Sequence, residues 1–63
     1  MVRQELLHLL TIARAQNSVV NGGVLAVLVA NKTRASRTTI YRHLRNLVAE
    51  GKVAKKEKGY YLK

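Results

Sequence analysis

A chain of 63 residues that contains no cysteine must hold its fold together by side-chain packing alone. No disulfide can join its elements, and no thiolate can ligate a metal or act as a nucleophile. A domain of this size buries only about 60% of the surface that its unfolded chain exposes, so its core is thin and needs regular packing or a partner subunit. Because 48% of the residues are hydrophobic, we expect one folded domain spanning residues 1–63.

Basic residues are concentrated in the second half of the chain. Twelve Lys and Arg residues against three acids give a net charge of +9. Only Arg3 and Arg14 precede residue 32, and residues 32–63 carry the other ten basic residues. A charge of this size attracts polyanions, and its concentration in one half favours a binding face over a generally solvated surface.

No membrane-spanning or targeting segment is predicted. The longest apolar run, Val24–Ala30, has seven residues, whereas a helix needs about 20 to cross a bilayer. The N-terminus lacks the apolar core and the small-residue cleavage site of a signal peptide. We therefore expect the protein to stay in the cytoplasm, with the genome.

Residues 2–16 are predicted to form an amphipathic helix. Its apolar stripe recurs at helical spacing and comprises Val2, Leu6, Leu9, Leu10 and Ala13. Leu7 and Ile12 flank this stripe and make the apolar surface wider than one small core requires. We therefore predict a homodimer through helix 1, with part of helix 2 also contributing, because a two-fold contact would enlarge the thin core. The rival account packs all these residues within one protomer.

Two interpretations compete for residues 18–30. Residues 18–20 are a short β-branched piece, and Asn21-Gly22 between apolar runs is a hairpin signal that would pair 18–20 with 24–29. Alternatively, Asn21 caps a helix that runs to about Lys32. We favour the helix because Leu and Ala are strong helix formers and because the segment that follows fits a helix-turn-helix.

Residues 36–50 carry the clearest helical pattern. Ser36 is a good N-cap, and Gly51 is a natural helix-ending residue in the left-handed conformation. The apolar stripe of this helix has the spacing i, i+4, i+7, i+8 and comprises Ile40, Leu44, Leu47 and Val48. Residues 52–62 follow as a predicted β-hairpin with its turn at 57–59, in which Val53, Tyr60 and Leu62 share the inner face.

The stretch 35–53 resembles the recognition helix and first wing strand of winged helix-turn-helix regulators. The matching features are Ser36 at the cap, Thr39–Leu44 in the helix, Leu47 one turn later, and then Gly51 and Val53. Residues 58–62 resemble the returning wing strand. This resemblance implies an α+β fold that is mostly α, with three helices, a C-terminal β-hairpin wing and a short strand near 18–20. Thr33 and Arg34 depart from it, since the family pattern has Leu and Gly there.

The outer face of the 36–50 helix is predicted to read double-stranded DNA. An α-helix fits the major groove, where Arg, Asn and Thr side chains can contact base edges. Lysines of the hairpin suit phosphate oxygens, although they could also be edge-strand residues that prevent aggregation. The predicted DNA-binding residues are Arg34, Ser36, Arg37, Thr38, Thr39, Arg42, Arg45, Asn46, Lys55, Lys56 and Lys58.

The three tyrosines are assigned different positions. Tyr41 falls at the edge of the inward face of its helix, so we expect it to pack in the core with its hydroxyl at the surface. Tyr60 is expected in the core, and Tyr61 points the other way. The chain has no Phe or Trp and therefore lacks the aromatic platform of a single-strand binder.

Catalysis, metal binding and cofactor binding are not expected. The chain has no Asp, its three Glu are scattered, and His8 and His43 stand alone among ionisable groups. Asn21-Gly22-Gly23 is followed by no Lys-Ser/Thr, so no phosphate-cradling glycine motif exists. The sequence thus predicts a sequence-specific DNA-binding regulator. Its alternatives are an architectural protein that coats DNA with little sequence preference and a winged helix that binds protein.

Overall fold

A computed structural model describes all residues from Met1 to Lys63. The chain forms three helices and three short strands, in the order α1 Val2–Ala15, β1 Val20–Asn21, α2 Gly22–Thr33, α3 Arg37–Ala49, β2 Val53–Lys56 and β3 Gly59–Leu62. The strands form one antiparallel sheet in the order β1-β3-β2. The expected α+β class, mostly helical with a C-terminal hairpin, is confirmed.

One apolar core joins the three helices to the sheet. Side chains from every helix and from β2 are fully or almost fully buried in it, namely Leu6, Leu10, Leu25, Ala26, Val29, Ile40, Leu44, Leu47 and Val53. Val2, Leu9, Tyr60 and Leu62 pack against this core, which confirms the predicted stripe of α1 and the inner face of the hairpin. Leu7 also packs against it, so only Ile12 of the two flanking residues remains largely exposed, at 46%.

The helix interpretation of residues 22–33 is confirmed, and the 18–20/24–29 hairpin is wrong. The Asn21 side chain accepts hydrogen bonds from the backbone N–H groups of Gly23 and Val24, at 2.8 and 3.4 Å. β1 spans Val20–Asn21 and shares only Val20 with the predicted strand near 18–20. Its partner is β3, with Val20 opposite Tyr60 and Asn21 opposite Gly59.

Two inward positions predicted for α3 are wrong. Val48 is 37% exposed and Tyr41 is 40% exposed, and neither belongs to the core or packs against it. Both lie on the flank of α3 beside the hairpin, where they line a cleft with Lys55. The core instead takes the narrower stripe of Ile40, Leu44 and Leu47.

A residue with left-handed backbone geometry ends α2. Arg34 has φ 60° and ψ 19°, and its N–H donates to the carbonyl oxygen of Ala30 at 2.7 Å. This is the position where the winged-helix pattern has glycine, which adopts such a conformation without steric cost. The turn to α3 therefore has the geometry of the expected glycine turn, with arginine in place of the glycine.

We expect Arg34→Gly to stabilise the fold by about 0.5–1 kcal/mol, because relief of the left-handed strain exceeds the added entropy of the unfolded chain. The melting temperature should rise by roughly 2–8 °C, measured by circular dichroism. Lys32→Gly is the matched control, since it places glycine inside the last turn of the same helix and should destabilise by about 1 kcal/mol. Equal destabilisation by both variants would contradict the strain at Arg34.

Gly59 lets the sheet close against the segment that precedes β1. A Cβ atom at Gly59 would collide with Cγ1 of Val19 and lie 3.1 Å from the carbonyl oxygen of Val20. Gly59 belongs to β3 and pairs with Lys56, so the hairpin turn consists of Glu57 and Lys58 alone. The N–H of Gly22 donates to the carbonyl oxygen of Lys58 at 3.0 Å, which ties this turn to the start of α2.

Arg3 at the start of α1 binds Glu50 at the end of α3. The guanidinium donates two hydrogen bonds to the carboxylate, at 2.9 and 2.6 Å, and Lys52 lies 3.7 Å away. The hydrogen bond from Arg3 lowers the pKa of Glu50 from its ordinary value of 4.5 to about 2. The pair lies at the surface and adds little stability, but it neutralises the one carboxylate next to α3.

Candidate nucleic-acid interface

The exposed face of α3 carries cations and small polar groups. Ser36 caps the helix: its Oγ accepts from the backbone N–H of Thr39 at 3.3 Å and lies 3.0 Å from the Thr39 hydroxyl. The exposed side chains of this face are Arg37, Thr38, Arg42, Arg45 and Asn46. No acidic residue occurs in α3, so the face is positively charged along its whole length.

The first turn of α3 offers backbone donors beside this face. The N–H groups of Arg37 and Thr38 precede the first intrahelical hydrogen bond, which Ile40 donates to Ser36 at 3.1 Å. Together with the positive end of the helix dipole, such groups suit an anion. The hydroxyls of Ser36 and Thr39 are engaged with each other, and Thr39 is half-buried, so Thr38 presents the accessible hydroxyl of this turn.

Tyr41 lies at the centre of a groove between α3 and the hairpin. The groove consists of three adjoining shallow clefts of about 410, 350 and 300 Å³, and the Tyr41 ring lines all three. The first cleft lies on α3 beside Arg42 and Arg45. The second passes between α3 and Lys55, and the third reaches Lys58 and the start of α2. We call this feature the α3 groove.

The sheet register divides the hairpin lysines between two faces. Lys55 pairs with Tyr60 and Val53 pairs with Leu62, so Lys55 projects from the face that packs on the helices. Lys56 pairs with Gly59 and projects from the opposite face. Lys55 and Lys58 therefore join the α3 groove, whereas Lys56 does not.

Most of the cations have no acidic partner. Arg3 and Lys52 pair with Glu50, and the remaining ten basic residues take part in no ion pair. Glu57 is the one acid that lines the α3 groove, at its far end beside Lys58. Positive charges therefore outnumber negative ones in the groove, and such an excess attracts polyanions.

The structure brings together most of the residues that the sequence predicts for DNA binding. Arg42, Arg45, Lys55 and Lys58 line the α3 groove, and Arg37, Thr38 and Asn46 are exposed on the same helix. Arg34 is exposed in the turn that leads into α3. Ser36 and Thr39 serve the helix cap, and Lys56 lies on the other face of the sheet.

Sequence reasoning missed the contribution of Tyr41 and of Asn21–Gly23 to the groove. The spacing of Tyr41 carried a signal, because it lies three residues after Thr38 and four before Arg45, on one flank of the helix. No local signal could place Asn21–Gly23 there, since their position depends on the pairing of β1 with β3.

The three helices and the C-terminal hairpin have a winged-helix-like arrangement with a cationic groove between α3 and the wing. Comparisons with protein-family models, with curated proteins and with solved structures find no match to this chain. No group of three or more His, Cys, Asp or Glu side chains is placed to hold a metal ion. None of the three helices has both the length and the apolar character needed to cross a membrane.

Proposed function

We propose that the protein binds double-stranded DNA through the α3 groove and acts as a sequence-specific regulator. The observation that carries this proposal is the groove itself, in which Arg42, Arg45 and Lys55 line adjoining clefts with no carboxylate among them. Arginine can bond guanine in bidentate fashion, and a helix of this size fits the major groove. In this arrangement α3 contacts bases while the wing contacts the backbone.

Several groups around α3 are suited to hold the phosphate backbone on both sides of the base-reading face. The free N–H groups of Arg37 and Thr38 and the Thr38 hydroxyl lie at its start. Lys55 and Lys58 lie on the wing side. Phosphate contacts of this kind fix the register of a protein on DNA without carrying sequence information.

The affinity for duplex DNA should fall steeply with salt. The ten basic residues after Asn31 should give roughly four to eight phosphate contacts per chain, so the slope of log affinity against log salt should be about −4 to −7. Fluorescence anisotropy of a labelled duplex at several salt concentrations measures this slope. Single-stranded DNA of equal length is the control and should bind more weakly, since the chain has no Phe or Trp. A slope near zero would contradict DNA binding.

The second candidate is an architectural protein that coats DNA. The ten unpaired cations favour it, because they are spread over more of the surface than a reading helix requires. Arg42, Arg45 and Asn46 on one exposed face favour sequence reading, since these side chain types discriminate base edges. Comparison of selected with random duplexes, described in the Discussion, separates the two candidates.

We further propose that two copies associate through exposed apolar side chains of α2 and α1. Val24, Val27 and Leu28 are 54%, 42% and 45% exposed on α2, and Ile12 is 46% exposed on α1. The sequence pointed to Leu7 as well, but Leu7 packs against the protomer's own core. Val24, Val27 and Leu28 are spaced i, i+3 and i+4, so they form one exposed apolar stripe of α2 that a second copy can cover.

Leu28→Glu should convert the dimer to a monomer, because it places a charge at a contact between two equivalent surfaces. Sedimentation equilibrium at roughly 100 µM measures the change, since dimer content depends on concentration. Ala49→Glu is the matched control: it adds the same charge at an exposed position of a different helix, α3. A wild-type protein that remains monomeric at this concentration refutes the dimer.

A further inference from the structure

A second cleft lies behind the wing, at the sheet face that points away from α3. Cross-strand pairing places Lys56 and Tyr61 on this face. The end of α1 and the residues that follow it close the cleft, which has a volume of about 320 Å³. Its polar lining residues are Arg14, Asn17, Ser18, Lys56 and Tyr61. We call it the rear cleft.

The local backbone gives the rear cleft its concave shape. Asn17 has φ 55°, which turns the chain sharply after α1. Val19 then lies over Gly59, where a Cβ atom would collide with it. The carbonyl oxygen of Ala13 accepts from the N–H groups of Gln16 and Ser18, and that of Arg14 accepts from Asn17, so these carbonyls near the end of α1 are satisfied within the chain.

No acidic side chain compensates the positive charge of the rear cleft. The Lys56 side chain takes part in no hydrogen bond or ion pair, and the Arg14 guanidinium donates through Nη1 to the backbone oxygen of Lys63. No carboxylate lines the cleft. A guanidinium, an ammonium and the hydroxyls of Ser18 and Tyr61 are the donor set that protein phosphate sites use.

We propose that the rear cleft is a second phosphate-binding site, and that its occupant is the backbone of a second DNA duplex. The proposal rests on the proposed function, in which the first duplex occupies the α3 groove. The sheet separates the two sites, with Lys55 on one side and Lys56 on the other. Because the sites face away from each other, one straight duplex does not fill both. One chain thus holds two DNA segments together.

Capture of a second duplex tests this proposal. One duplex is attached to beads, the protein is added, and retention of a second, fluorescent duplex is measured at about 0.1 M salt. The informative variants change adjacent residues on opposite faces. Lys56→Glu should lower capture at least about tenfold and change the affinity for a single duplex by less than about threefold, because it removes a contact of the rear cleft only. Lys55→Glu should instead lower the single-duplex affinity.

Further variants separate capture from other causes. Arg14→Gln should reduce capture as Lys56→Glu does, and circular dichroism verifies that both variants fold. Leu28→Glu should still capture, which shows that two sites on one chain suffice. Capture that is lost in Leu28→Glu but kept in Lys56→Glu overturns the proposal in favour of bridging by a dimer.

Three results concern the identity of the ligand. Wild-type protein that binds single duplexes but captures no second one overturns the rear-cleft proposal and leaves the proposed function intact. A protein that binds no duplex at all contradicts the proposed function, and this proposal with it. Binding of ATP in the rear cleft, seen by NMR shifts of Ser18 and Tyr61 amides without duplex capture, assigns the cleft to a free nucleotide and overturns DNA bridging.

Discussion

The double variant Arg42→Ala/Arg45→Ala is expected to lose about 2–6 kcal/mol of binding free energy on a DNA site selected from random duplexes. The reason is that each good bidentate contact to a base contributes about 1–3 kcal/mol. Both side chains are exposed and line the same cleft of the α3 groove. Their removal should also reduce the preference for the selected site over random DNA. Anisotropy titrations with both duplexes measure the two effects.

The control for this variant removes two charges elsewhere. Lys32→Ala/Lys63→Ala lowers the net charge equally, and neither residue lines the α3 groove. We expect it to weaken selected and random duplexes alike, by less than the arginine variant does, because it affects only long-range attraction. If the arginine variant also loses affinity equally on both duplexes, α3 does not read bases, and the architectural function is favoured.

Leu44→Ala should leave the protein largely unfolded at 25 °C. The Leu44 side chain is fully buried among the residues of the core, and truncation of such a leucine costs about 2–5 kcal/mol. A core in a domain of this size supplies only about 3–5 kcal/mol, so the loss approaches the whole stability. Urea denaturation followed by circular dichroism measures the free energy of unfolding of the variant and of the wild type.

Val48→Ala is the matched control on the same helix. Val48 is 37% exposed and lies outside the core, so its truncation should change stability by at most about 1 kcal/mol. A Leu44→Ala variant as stable as Val48→Ala would contradict the position assigned to α3 against the core. The same comparison tests the correction to the sequence prediction, which placed both residues in one inward stripe.

The helices of this fold could be predicted because their signals are local. Ser36 and Asn21 accept hydrogen bonds from the first N–H groups of α3 and α2, and the apolar spacing of α1 matches its buried face. Arg34 is the exception, since the turn has left-handed geometry without the glycine that usually marks it. Caps and periodicity act within a few residues, so a single sequence reveals them.

The features that escaped prediction depend on contacts between distant parts of the chain. β1 has two residues and pairs with β3 almost forty residues later, which no local pattern specifies. The hairpin register places Lys55 and Lys56 on different faces of the sheet. Tyr41 lines a groove instead of the core because the hairpin lies beside α3. The residues of the cationic surface were therefore predictable, but their division between two faces of the sheet was not.

The hydrogen bond from Gly22 to Lys58 gives the protein a built-in reporter of wing position. It joins the first residue of α2 to the hairpin turn, so the turn cannot swing away from the helices without releasing this one amide. Gly22 is buried, and its amide proton should exchange slowly while the wing is docked. Its nitrogen-15 resonance thus distinguishes a rigid wing from one that opens and closes, without any label added to the α3 groove.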